Sequence, residues 1–483
     1  MVFSSALFLE YFLPPVLALY YLVRILPIRD NARKRRLGNI VLLIASLVFY
    51  ASGGAIYVLL LGAVLLLNYL SGRLIARADR RRKLLLILAV VLDFGILFFF
   101  KYFNLFVMIY ENCTAGMSAG EALTGILTLT RTGRLSFTDI VLPIGISFYI
   151  FQAVSYVADV YRGDAHCQKN FFDFALYISF FPQLIAGPIV QYSDIESQLK
   201  DRSESIDLFA SGVTRFIYGL AKKVLIANTL ATVIDSIMGM ELEGLGASVT
   251  WLGAVCYTLQ IYYDFSGYSD MAIGLGRMFG FSFKENFNYP YSSASIQEFW
   301  RRWHISLSSW FKQYVYIPLG GNRVSPGKIY RNVFVVFLLT GIWHGANFTF
   351  FLWGILNAGL IMLERLFLGK ILKKAPVLNR IYTMFFVILC WVVFRADNIL
   401  QAGTYLREMF SPGSGEYTVS SFLSMKSILA LIVGAVLSFP VYEKLGKRFQ
   451  NTVPAVVFRT ALFVIVLFAV LNGSYNPFLY FQF

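Results

Sequence analysis

The chain has 483 residues, of which 58% are hydrophobic and 14% charged, against roughly 25% charged in an average soluble domain. With 46 Phe and 29 Tyr it has too little polar surface to wrap such a core in water, which excludes an ordinary soluble enzyme and a disordered chain. The net charge of +15 sits in short stretches between apolar runs (Arg33 to Arg36, Arg80 to Lys83, Lys373-Lys374 and Lys444 to Arg448). That is the pattern of basic loops beside membrane spans and anionic lipids, and it argues against a nucleic-acid partner.

A span needs about 20 apolar residues. In chain order the expected spans lie near 6–24, 38–52, 55–72, 84–104, 138–161, 206–240 (interrupted), 247–276, 332–349, 350–368, 381–397, 427–443 and 455–474. The expected class is therefore an all-α polytopic membrane protein with about twelve spans. The stretch 172–190 is apolar but cut by Pro182, Gly187 and Pro188. Such a break is tolerated at membrane depth only inside protein or beside a cavity, so a re-entrant segment is expected. The N-terminus lacks a basic n-region, which predicts a retained first span.

The basic loops 25–37 and 73–83 are expected on the cytoplasmic side, with loop 111–137 outside. Segment 277–331, with eight Lys/Arg against Glu285 and Glu298, is expected inside, as are 370–380 and 444–448; both termini then fall outside. The four cysteines (Cys113, Cys167, Cys256 and Cys390) are scattered singly, which gives neither a disulfide framework nor a metal site.

Polar groups inside apolar spans are costly and are functional candidates by default. In Gln260-Ile-Tyr-Tyr-Asp264-Phe-Ser266-Gly-Tyr-Ser-Asp270 the two aspartates are about 240° apart on a helix, so they are not an acid/base pair on one face. The motif either hydrogen-bonds helices together around Gly267 or lines a polar cavity. His344, in Leu339-Thr-Gly-Ile-Trp-His344-Gly-Ala-Asn347, is up to about 20 Å beyond the basic boundary at Arg331. Gly341, Gly345 and Ala346 are expected to leave its ring room to meet a substrate. The chemistry of imidazole suits proton transfer near neutral pH; the alternative is a structural histidine bonded to a backbone carbonyl.

Apolar residues at 296, 299, 300, 303, 307, 310, 311 and 314 predict one amphipathic helix, with Arg301, Gln297, Ser308 and Lys312 on its other face and His304 at the boundary. It reads either as an interfacial anchor or as a cytoplasmic mouth. In the second reading Arg301, Arg302 and Lys312 attract an anionic, phosphate-bearing donor. His166, in a polar loop with Asp164, carries little weight. No G-x-S-x-G elbow, Walker loop or H-E-x-x-H motif accompanies these residues, which argues against serine hydrolase, ATPase and metalloprotease chemistry.

The ordered set Phe180 to Pro188, Asp264 to Gly274, Glu285 to Tyr291, Phe299 to Ser308, Tyr316 to Arg323 and Leu339 to Asn347 resembles the membrane-bound O-acyltransferase (MBOAT) superfamily. Within it the set most resembles the branch of the alginate O-acetylation membrane subunit. The resemblance implies a helical ring around a central tunnel entered from the cytoplasm, over a single domain: N-terminal spans 1–135, core 136–370, C-terminal spans 371–475 and a tail 476–483. It maps the catalytic histidine onto His344 and the second histidine onto His304. Trp300, Trp303, Asn347, Asp264 and Ser266 join Arg301, Arg302 and Lys312 as candidate donor-binding or tunnel residues. A thioester donor (acetyl-CoA or the phosphopantetheine of an acyl-carrier protein) would be substrate, with no permanent cofactor or metal.

His344 would take the proton of the attacking hydroxyl, with His304 or Asn347 supporting the oxyanion. The acyl group would pass to an extracellular or cell-wall polysaccharide through an SGNH-type or similar transferase. The D-alanylation branch, which esterifies teichoic acids, shares several of these segments and is the alternative. The tail Asn476-Pro-Phe-Leu-Tyr480-Phe-Gln-Phe483 resembles the C-terminal tyrosine motif of the peptide that accompanies that branch, implying an acyl relay at Tyr480; on composition alone it reads as an aromatic anchor. The rival of another class is a lipid-linked glycan flippase, against which the break at 182–188 has no repeat-related counterpart.

Overall fold

A computed structural model describes residues 1–114, 125, 140–412, 415–441 and 452–473; the Tyr480 tail and the Lys444 to Arg448 cluster lie outside these. Regular structure among the described residues is helical throughout. In chain order it runs α1 Leu7–Ile25, α2 Asn31–Ala51, α3 Ile56–Arg77, α4 Arg82–Thr114, α5 Ile146–Arg162 and α6 Phe171–Ser179. Then come α7 Phe181–Leu184, α8 Tyr192–Lys200, α9 Ile206–Met238, α10 Gly246–Met278, α11 Ile296–Arg302 and α12 Ile305–Phe311. The last are α13 Pro326–His344, α14 Phe348–Leu372, α15 Pro376–Arg395, α16 Ile399–Met409, α17 Met425–Leu437 and α18 Val453–Leu471.

Each of the twelve expected segments carries a helix, and seven of these helices (α1, α3, α4, α9, α14, α15 and α18) are long and apolar enough to cross a membrane. The protein is a multi-pass membrane protein. Large apolar side chains stand outward along it, with Leu59 at 70%, Val91 at 61% and Phe468 at 70% exposure, a surface suited to lipid rather than water.

The segment expected to be broken is broken. Helix α6 stops at Ser179, the short α7 follows, and the chain then turns over 185–187 and continues without regular structure to α8, buried from Phe174 to Tyr192. Its exposed backbone groups are met by other elements, as burial requires. Ser46 Oγ accepts from the Phe181 N–H at 3.0 Å, and Ser306 Oγ accepts from the Ile189 N–H at 3.0 Å.

Polar contacts tie the end of α1 and the stretch 194–204 to the start of segment 277–331. Arg24 reaches Glu204 at 2.8 Å, the Tyr21 hydroxyl donates to the Met278 carbonyl at 2.6 Å, and Lys284 meets Asp194 at 2.6 Å. Exposed His166 takes no part beyond Glu196, 3.4 Å away. Helix α13 rises away from its basic start at Lys328 and Arg331 for about 27 Å, so His344 stands at its far end.

Helices α9 and α10 touch backbone to backbone. A Cβ on Gly219 would lie 2.6 Å from the Gly267 carbonyl oxygen, so only glycine allows this approach. Over Lys222–Ala227, α9 widens to π-type hydrogen bonding, a local change often found beside special sites. Around the seam Lys223 Nζ meets Asp264 Oδ1 at 2.5 Å, both side chains at most 3% exposed. Asp270 is held by Arg215 at 2.7 Å and Lys222 at 2.6 Å.

Candidate active site

The expected continuous helix over 296–314 is two helices. Its stripe repeats correctly, but the chain breaks at Trp303-His304, where His304 takes the left-handed conformation at φ 43°. The preceding loop supplies what the helix gives up. The Asn288 N–H donates to the Arg302 carbonyl at 3.0 Å, and the Ile305 N–H donates to the Asn286 carbonyl at 2.9 Å. Asn286 Oδ1 also accepts from the Ser306 N–H at 3.1 Å and lies 3.1 Å from His304 Nδ1. An amide oxygen only accepts, so this contact puts the His304 proton on Nδ1.

The break turns His304 inward. It is 1% exposed and packs edge-on against Phe265 at 4.6 Å between centroids, so its expected place at an open boundary is corrected. The Trp343 ring lies 5.9 Å from His304 and 5.0 Å from His344. One indole therefore neighbours both imidazoles.

His344 is the last residue of α13 and is buried. Trp353 and Phe394 meet its ring edge-on, each at 5.0 Å. Its Nδ1 has no hydrogen-bond partner among the described residues, unlike a structural histidine tied to a carbonyl. The glycines beside it do not make room for substrate. A Cβ on Gly341 would lie 2.4 Å from the Phe350 carbonyl oxygen, so glycine there lets α14 close against α13.

A cavity of about 320 Å³ lies between α11, α12, α13 and α14. Arg301, Lys312 and Arg365 all line it, and none of its lining residues among those described is acidic. Trp300 forms part of its wall, held by donating from Nε1 to Asn357 Oδ1 at 3.0 Å. The cavity reaches Thr340, one helical turn, or about 6 Å, short of His344. His344 itself lines a pocket of about 60 Å³, with Lys101, Ser147, Ile185 and Trp343.

Several candidates are placed elsewhere. Arg302 is taken up by Glu298 at 2.8 Å and does not line the cavity. Trp303 stacks on Phe299 at 5.5 Å and against Trp391 at 4.8 Å, deep in the aromatic core. Asn347 caps α14, accepting from the Thr349 N–H at 3.0 Å, and donates to the Asp397 carbonyl at 2.6 Å, so its amide is not turned toward His344. Asp264 holds Lys223, and neither it nor buried Ser266 lines these cavities. The Lys223–Asp264 pair joins α9 to α10. Arg365 and Lys101 were not singled out from the sequence, because each is one basic residue beside or inside a span with no motif around it.

The model of the MBOAT, membrane-bound O-acyltransferase family, matches residues 168–400, a stretch that holds both histidines and the cationic cavity. The probable alginate O-acetylase AlgI of Pseudomonas aeruginosa is 45% identical over 456 residues, covering 93% of this chain and 82% of that one. The chain belongs to the MBOAT family. It is thus a membrane acyltransferase. The probable alginate O-acetylase AlgI of Pseudomonas putida is 40% identical over 511 residues, covering the whole of both chains. The peptidoglycan O-acetyltransferase of Helicobacter pylori is 34% identical over 443 residues, covering 85% of this MBOAT chain and 80% of its own.

Proposed function

We propose that this MBOAT protein sits in a bacterial plasma membrane and moves an acetyl group from a cytoplasmic thioester to the outer face, for O-acetylation of an extracellular or cell-wall polysaccharide. The observation that carries the reading is buried His344, its Nδ1 unpartnered among the described residues, lining a small pocket one helical turn beyond a cation-lined cavity. The names of the relatives, alginate O-acetylase and peptidoglycan O-acetyltransferase, support the acetyl group and the glycan acceptor.

In this reading Arg301, Lys312 and Arg365 hold the phosphates of acetyl-CoA or of a carrier protein's phosphopantetheine. The thioester points past Thr340 toward His344, which acts as general base. His304, its Nδ1 proton engaged by Asn286, presents an Nε2 lone pair that accepts from a hydroxyl and helps orient it. The aromatic walls keep water from the thioester. Replacing Arg301 and Lys312 together with Gln should raise KM for acetyl-CoA with kcat near wild type, whereas Arg302→Gln should change neither. Steady-state kinetics on membrane vesicles test this, and an unchanged KM in the double variant would leave the cations as lipid-headgroup anchors.

Beyond the membrane we assign Tyr480 as the acyl relay that hands the group to an SGNH-type extracellular transferase. A phenyl ester is more reactive than an alkyl ester and so passes its acyl group on readily. Tyr480→Phe removes the hydroxyl and keeps the ring. Cells carrying it should lose glycan O-acetylation, measured as acetate released by alkali; normal acetate levels would reduce the tail to an aromatic anchor.

A further inference from the structure

We propose that Lys101 is a charge-bearing residue of the acyl-transfer pocket, its ammonium stabilising the oxyanion that forms beside His344. The inference rests on the reading of His344 as the base. Lys101 lies on α4, 19 residues past its start at Arg82, or about 28 Å along the helix. His344 ends α13, and the Lys101 ammonium reaches that end through the Trp343 carbonyl. A cation within an apolar span is costly and calls for a reason.

The surroundings supply one. Lys101 Nζ donates to the Trp343 carbonyl, lies 3.4 Å from Ser147 Oγ and sits 5.6 Å from the centre of the Trp343 ring. It lines the same 60 Å³ pocket as His344, and among the described residues none that lines it is acidic. Among the described residues Lys101 makes no ion pair. An ammonium has three donors; the Trp343 carbonyl and Ser147 occupy two and leave one for the pocket.

Capping the end of α13 does not by itself account for a charge here. The adjacent Tyr102 hydroxyl already donates to the Ile342 carbonyl, and it lies 3.3 Å from that of Gly345, so a neutral side chain serves the same end of the helix. What a fixed ammonium adds is positive charge at the small pocket that His344 lines, placed before the reaction begins.

The step balances as follows. His344 takes the proton of the acceptor hydroxyl as its oxygen bonds to the thioester carbonyl carbon. The carbonyl electron pair moves onto oxygen, where Lys101 meets it. The pair then returns, the C–S bond breaks, and the thiolate leaves with the proton from the imidazolium.

The experiment compares wild type, K101Q, K101R and H344A as full-length proteins in inverted membrane vesicles supplied with radiolabelled acetyl-CoA. The same variants are expressed in cells and read as alkali-released surface acetate, which does not depend on which thioester is the donor. K101Q keeps an N–H for the Trp343 carbonyl and removes the charge. It should lower kcat by about 10²-fold with KM little changed and unaltered thermal stability in detergent, and K101R should recover most of the loss. Wild-type kcat in K101Q, or K101R as slow as K101Q, overturns the role of the charge. Full activity in H344A would instead remove the reading of the site on which the proposal stands.

Discussion

Membranes carrying His344→Ala should contain inserted, folded protein and show acyl transfer reduced by about 10²–10⁴-fold, the usual contribution of a positioned general base. The imidazole packs against Trp343, Trp353 and Phe394 but has no Nδ1 partner among the described residues, so its loss should cost reaction rate more than architecture. Helix α13 is fixed independently, by the close approach at Gly341 and by Lys101 and Tyr102 on its last carbonyls. The check is turnover at matched expression; wild-type turnover would sink the assignment. His304→Ala should also impair transfer strongly, because the structure buries that ring beside the same indole rather than leaving it at an open mouth.

The second large effect is on stability. Lys223→Met should destabilise the protein by about 3–5 kcal/mol, because Asp264 then stays buried without the ammonium that meets it. Asp264→Leu should do the same from the other side. The double variant, which replaces both charges with apolar groups, should recover much of the loss, since a buried ion pair roughly balances its own desolvation. Thermal unfolding in detergent gives the comparison. Equal damage in the double variant would mean that the pair contributes by more than charge neutralisation.

Much of the architecture was legible from apolar run length, because a bilayer imposes that length. The break at 182–188 announced itself through two prolines and a glycine, whereas the span expected over 332–349 ends earlier, at His344, with the next helix starting at Phe348. The His304 break did not announce itself, because the apolar stripe continues with helical period across it. What breaks the helix is Asn286 and Asn288, which take over the backbone partners of residues 302 to 306. Local periodicity carries no record of such distant hydrogen bonds. The same limit hid Lys223, 41 residues before Asp264, and left Asp264 open between a cavity and a helix joint. Arg302 and Lys312 looked equivalent as basic residues of one helix; after the break, only Lys312 faces the cavity, while Arg302 turns to Glu298.

The most direct test of acyl transfer across the membrane at His344 uses sealed inverted vesicles given radiolabelled acetyl-CoA on the outside, which is the cytoplasmic face. The measurement is thiol released outside together with alkali-labile label inside. Wild type should release thiol and place label in the lumen, and His344→Ala should do neither. Label entering the lumen of His344→Ala vesicles at the wild-type rate, or entering without thiol release, would contradict the account.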